Sequence, residues 1–150
     1  MSIASQLKNV IARLDLKLNS AAKDIMEEVK EQLKESTEVL WYSRTPKDYN
    51  RTYELINSIN GRIVKNGIGN YTIEVFYDEE LMSYGTDSKG WNTHAGFDGR
   101  DFRSGLIESI AYGTIKGSGN NPRKGESPQI YDAVLKEATK IANNILKRYI

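Results

Sequence analysis

The chain has no cysteine, one histidine and only three prolines among its 150 residues. Without thiols there is no disulfide framework, no thiol nucleophile and no thiolate metal site, and the composition agrees with a reducing cytoplasm. Stability must then come from packing or from assembly. No stretch approaches the roughly 18 apolar residues that a membrane span needs. The start, Met1-Ser2-Ile3-Ala4, lacks the basic segment that opens a secretory leader, so the chain is expected to stay where it is made, with no membrane among its partners. An excess of one charge is missing too. Lys and Arg number 21 against 20 Asp and Glu, and a net charge of +1 supplies no global field to draw in a polyanion, which disfavours nucleic acid as a partner.

What is present suits a folded domain. Hydrophobic residues at 39% and charged residues at 27% exclude a disordered chain, and 150 residues is a common size for one hydrophobic core. A single domain over 1–150 is expected. From Ile3 to about Leu40 the apolar residues Ile3, Leu7, Val10, Ile11, Leu14, Leu18, Ala21, Ala22, Ile25, Met26, Val29 and Leu33 recur every three or four positions. That spacing predicts one long amphipathic helix with a solvated face of Lys and Glu. At 1.5 Å per residue it would be roughly 50 Å long, while a compact domain of this size is about 30 to 40 Å across. Part of it must bend, with Asn19-Ser20 the weakest spot, or overhang and expose Leu7, Val10, Ile11, Leu14 and Leu18 to a partner. Leu16, about 200° round the helix from Leu14, suggests a second contact face.

Further on, Thr45 reads as an N-cap, Pro46 as a first helical residue and Asp48 as a capping-box carboxylate. A second, short helix is expected there, with Tyr49, Tyr53, Ile56 and Ile59 on its apolar side and Asn60-Gly61 as its stop. Arg62 to Lys65 and Tyr71 to Asp78 read as the strands of a hairpin joined by a five-residue loop, Asn66 to Asn70. In the second strand Tyr71, Ile73, Val75 and Tyr77 share the buried face. Residues 83–103, dense in Gly, Asp, Asn, Ser and Thr, predict a long ordered loop or short irregular strands. A short helix follows from Phe102 to Tyr112, with Leu106, Ile107 and Ile110 on one side. A nearly apolar-free loop, Lys116 to Pro128, precedes a last helix over about 129–148, with a stripe of Ile130, Val134, Leu135, Ala138, Ile141, Ala142, Ile145 and Leu146. The fold class is α+β: a long N-terminal helix, a second short helix, a small antiparallel sheet built on a hairpin, long loops and a C-terminal helix.

Chemistry is sparse. His94 with Asp98 and Asp101 could be imagined as a metal site or an acid/base pair, but metal sites need three or four convergent ligands, and the simpler role is that His94, Asp98, Arg100 and Asp101 hydrogen-bond the loop to itself or to a neighbouring subunit. The run ending Arg123-Lys124-Gly125 has Lys before Gly, the wrong order for a phosphate-binding loop. Gly117-Ser118-Gly119 is two residues too short for a nucleophile elbow. No catalytic residue, metal ligand or cofactor is assigned. Arg123 and Lys124, beside Lys116, form a small basic patch, and Trp91 is a candidate interface anchor because Trp, Tyr and Arg dominate binding hot spots.

The segment Tyr49-x-Arg51-Thr52-x-x-Leu55-x-x-Ser58-Ile59, set between a long helix and a hairpin, resembles the tail-completion or tail-component family of tailed bacteriophages. Trp91-Asn92-Thr93-His94 and Gly113-Thr114 look like further pieces of that family's pattern, while Tyr53 stands where Gly often follows Arg-Thr. The resemblance implies a non-enzymatic subunit of the virion neck or tail, assembled in the host bacterial cytoplasm. It implies a homo-oligomeric ring, a hexamer or dodecamer, that meets a tail terminator, tail tube or head-closure and connector proteins. DNA would be touched only in passing through the ring lumen. A tail terminator or head-closure subunit is the nearest alternative. A protein-binding inhibitor or adaptor, or a small metal-dependent enzyme using His94, would be other classes. The interface candidates are Leu7, Val10, Leu14, Leu16, Leu18, Trp91, Arg123 and Lys124.

Overall fold

Helix α1 runs unbroken from Ile3 to Leu40 in the computed structural model, which describes residues 3–41, 53–83, 85–86, 92–93, 103–112 and 129–150. Its 38 residues span about 57 Å, and helical geometry passes through Asn19-Ser20, so the chain overhangs. Only the second half of its stripe is covered: Ala21, Ala22, Ile25, Val29 and Leu33 are buried, together with Ser36 and Thr37.

Two elements do the covering. One is the hairpin of β1 (Ile59–Gly67) and β2 (Asn70–Tyr77), an antiparallel pair in which Ile59 faces Tyr77 and Ile63 faces Ile73. Tyr77 is buried, and Ile73 and Val75 pack on the core, as the alternation predicts. The other is the C-terminal helix, Ile130–Tyr149, which places Ile130, Val134 and Ile145 in the core. Near its end, Tyr149 donates a hydrogen bond to Asp24 (2.5 Å). Near its start, Tyr131 stacks on Tyr77, with ring centroids 5.7 Å apart. Tyr77 in turn meets Thr37 (2.6 Å). The C-terminal helix therefore lies antiparallel to α1 along residues 24–37 and leaves the N-terminal half bare. Thr37 spends its one hydroxyl proton on the Leu33 carbonyl (2.6 Å), so the Tyr77 hydroxyl is the donor in their shared bond and no buried oxygen goes unmatched there.

Between the first helix and the hairpin, α2 is a single turn, Glu54–Asn57, preceded by Tyr53 in the left-handed region (φ 57°). This corrects the longer helix expected to stop at Asn60-Gly61. Ile59, Asn60 and Gly61 are β1 residues, and Gly61 is a close-approach residue: a Cβ there would lie 2.9 Å from Cγ of Met26. Asn60 braces the strand, its Oδ1 accepting from the Gly61 N–H (2.8 Å) and its Nδ2 donating to Asp78 (3.0 Å). The hairpin loop is also shorter than expected. Gly67 pairs with Asn70, leaving Ile68-Gly69 as the turn and an irregularity at Asn66, with Gly69 at φ 70°. A two-residue turn needs positive φ, which Gly69 takes without Cβ strain.

After a 3-10 turn at Glu79–Leu81, β3 (Gly85–Thr86) pairs antiparallel with β4 (Asn92–Thr93) inside the region expected to form a long loop or short strands. Helix α3, Arg103–Tyr112, buries Ile110 and Ala111 and half-buries Ile107. It is hooked to the 3-10 turn by Arg103, which donates to the carbonyls of Glu79 (3.1 Å) and Met82 (2.9 Å). The C-terminal helix is α4. Leu135, counted in its stripe, is instead 69% exposed: it sits about 100° round from buried Val134, on a shoulder that the two-stranded sheet does not reach. The architecture is α+β, two antiparallel helices with a hairpin laid on them. The Thr45-Pro46-Asp48 cap, Tyr49, Gly113 and residues 116–128 lie outside the described residues.

Candidate functional site

Every residue from 3 to 14 except Ser5 is exposed, although five of them are large and apolar. Leu7 is 57% and Leu14 45% exposed, and Ile3, Val10 and Ile11 share their face. These positions step by three and four, so they form one apolar ridge about 18 Å long. Leu16, 66% exposed, lies off this ridge, in a shallow surface pocket that it lines with Asn19, Lys23, Ile63 and Tyr71 beside the hairpin. Leu18 is half-buried and lies under the hairpin tip, 3.6 Å from where a Cβ on Gly69 would be. Of the interface candidates, Trp91, Arg123 and Lys124 lie outside the described residues, as do His94, Asp98 and Asp101. Among the described residues no cluster of His, Asp and Glu is arranged to hold a metal ion, and no helix is long and apolar enough to cross a membrane.

The boundary between covered and bare helix is a polar clasp that the sequence pattern does not announce. Asp15 accepts from Lys65 Nζ (2.5 Å), from the Gly69 N–H (2.8 Å) and from the Tyr71 hydroxyl (2.8 Å). Tyr71 also reaches the Asp15 carbonyl (3.2 Å). The Lys65 hydrogen bond, followed by those of Gly69 and Tyr71, lowers the Asp15 carboxyl from 3.8 to about 2. The Lys65 ammonium is raised by the same contact, and the Tyr71 phenol is raised by partial desolvation and by Asp15. Read singly, Asp15, Lys65 and Tyr71 are ordinary surface residues. The clue available in the sequence is only that Asp15 is the one acid between Ile3 and Leu18.

The sign of the Asp15 shift sets a pH dependence. A carboxyl depressed on folding adds stability above its unfolded value and loses that contribution as pH falls through the folded value. The clasp should therefore be whole above about pH 4 and fade toward pH 2. Amide exchange at Gly69 is the measurement: protection should drop through that window in the native chain. In Asp15→Asn it should be low and flat with pH, and a pH-independent Gly69 amide in the native chain would count against the clasp.

A second feature opens beside the hairpin. Between β2, α1 and α4 lies an apolar cleft of about 540 Å³, floored by Ile25, Val29 and Leu33 and walled by Ile73 and Val75 on one side and Tyr131, Val134, Leu135, Ala138 and Ala142 on the other. Asp132 and Thr139 are its polar lining. A concave, mostly apolar lining of this kind is what apolar side chains or an apolar ligand require.

No family model, no curated protein and no solved structure matches the chain.

Proposed function

We propose that the protein is a non-enzymatic assembly subunit of a bacteriophage neck or tail, which joins its neighbours through the bare N-terminal end of α1. The observation that carries this reading is the exposed ridge of Ile3, Leu7, Val10, Ile11 and Leu14 on a helix that outruns its own domain. A contiguous apolar face of this kind is unusual on a protein that works alone, and contacts between subunits are the common reason for one. The element order, long helix, short helix, hairpin and C-terminal helix, is the order the tail-completion resemblance implies. Within the motif, Leu55, Ser58 and Ile59 are buried, so that part of it records packing of the fold. The partners on this reading are further copies in a ring and the adjoining terminator, tube or connector proteins, and the location is the virion.

Two measurements test it. Light scattering of the full chain over a concentration series should give a mass above 17.0 kDa, either a closed ring or a concentration-dependent oligomer. Phage made without the protein should accumulate unjoined heads and tails. Normally joined particles from such a phage would overturn the neck and tail assignment.

A further inference from the structure

The overhang and the cleft are on the same chain, and their dimensions and charges match. Two helices side by side make a layer about 20 Å wide, whereas two strands 4.8 Å apart cover about half of it. The uncovered strip lies over α4 beside β2, and it is about as wide as one more helix. From Tyr131 to Ala142 the α4 wall of the cleft is about 16 Å long. The overhang presents Leu7, Val10 or Ile11, and Leu14 over about 10 Å, the i, i+3 or i+4, i+7 spacing by which a helix seats in a groove.

Charge selects among occupants. The overhang is flanked by Lys8, Arg13 and Lys17, none of them ion-paired among the described residues, while its one acid, Asp15, is matched by Lys65. Two overhangs laid against each other would bring like charges together. The cleft has the opposite sign at its Tyr131 end. Asp132 lines it, and the acidic run Asp78-Glu79-Glu80 follows Tyr77, which stacks on Tyr131.

We infer that the α1 overhang of one copy seats in the α1–β2–α4 cleft of the next, with Leu7, Val10 and Leu14 against Leu135 and Ala138 and the basic flank toward Asp132. Resting on the assembly reading, this contact is head-to-tail: each copy offers a different surface to each neighbour, and the chain of contacts closes into a ring if the rotation permits.

Such an interface has a signature that a symmetric pairing of overhangs lacks. Leu14→Glu spoils the overhang but keeps the cleft. Leu135→Arg keeps the overhang but puts a positive charge where a basic helix must dock. Both sites are exposed, so each variant should melt with the native chain. Alone, each should be monomeric where the native chain assembles, its self-association weakened on the order of tenfold or more. Mixed in equal amounts they should form a dimer, twice 17.0 kDa, and grow no further, because only one intact overhang and one intact cleft remain per pair. A mixture that stays monomeric, or Leu135→Arg that assembles like the native chain, would overturn the inference. So would a native chain that stays monomeric but binds anionic phospholipid vesicles through the overhang, since a basic amphipathic helix also suits a membrane surface. A capped dimer in the mixture, together with phage that join heads and tails without the protein, would uphold this contact while removing the neck and tail reading.

Discussion

Leu7→Glu is expected to abolish assembly at concentrations where the native chain assembles, with a thermal midpoint within about 2 °C of native. The fold should tolerate it because Leu7 is already more than half exposed, and substitutions at such positions stay within about 0.5 kcal/mol. Assembly should not. Docking a leucine contributes about 1.5 to 3 kcal/mol, and a carboxylate in its place resists desolvation in an apolar cleft. At about 1.4 kcal/mol per factor of ten, one contact weakens about tenfold to a hundredfold or more, and in a ring the loss recurs at every interface. Light scattering and calorimetry on one preparation separate the two effects. A variant that unfolds would put Leu7 in the core of the subunit, and one that assembles normally would leave the ridge without a role.

The same helix supplies the opposite case. Leu33→Ala should cost about 2 to 5 kcal/mol, because Leu33 is 1% exposed at the floor where α1, the hairpin and α4 converge, and truncation leaves a cavity that three elements cannot all close. Against a total stability of about 5 to 15 kcal/mol this is a large fraction, equivalent to a midpoint lowered by roughly 4 to 20 °C. Urea unfolding reads it directly. A loss below about 1 kcal/mol would mean that the second half of α1 is not the centre of the core. Two leucines in one apolar stripe are thus expected to fail in different assays, Leu7 in assembly and Leu33 in folding.

Their difference shows how far the pattern of residues carries. Period-three-and-four spacing from Ile3 to Leu33 sufficed for the helix, its register and its excess length, because those depend only on local geometry and on comparing about 1.5 Å per residue with the size of a domain. Alternation in Tyr71, Ile73, Val75 and Tyr77 likewise sufficed for the inner face of β2, and the spacing in 130–148 for most of α4. Asn60-Gly61 misled, since the pair reads equally as a helix stop and as a strand residue pressed against Met26, and only the approach of α1 distinguishes them. Gly69 was legible as part of a turn. The length of that turn was not, because pairing of Gly67 with Asn70 is settled by the strands together.

By itself, then, the sequence determined the α+β class, the order of elements, the two amphipathic helices and the fact that one of them is too long for its own domain. Tertiary structure decided where the bare part of that helix ends, with Leu18 half-buried and not exposed, because the hairpin meets the helix at Asp15 and the end of α4 meets it at Asp24. It also decided that Leu135 belongs to the surface, since burial depends on how far a two-stranded sheet extends over a two-helix layer. The Asp15–Lys65–Tyr71 clasp joins residues more than 45 positions apart, and long-range contacts of that kind leave no periodicity in the chain to read.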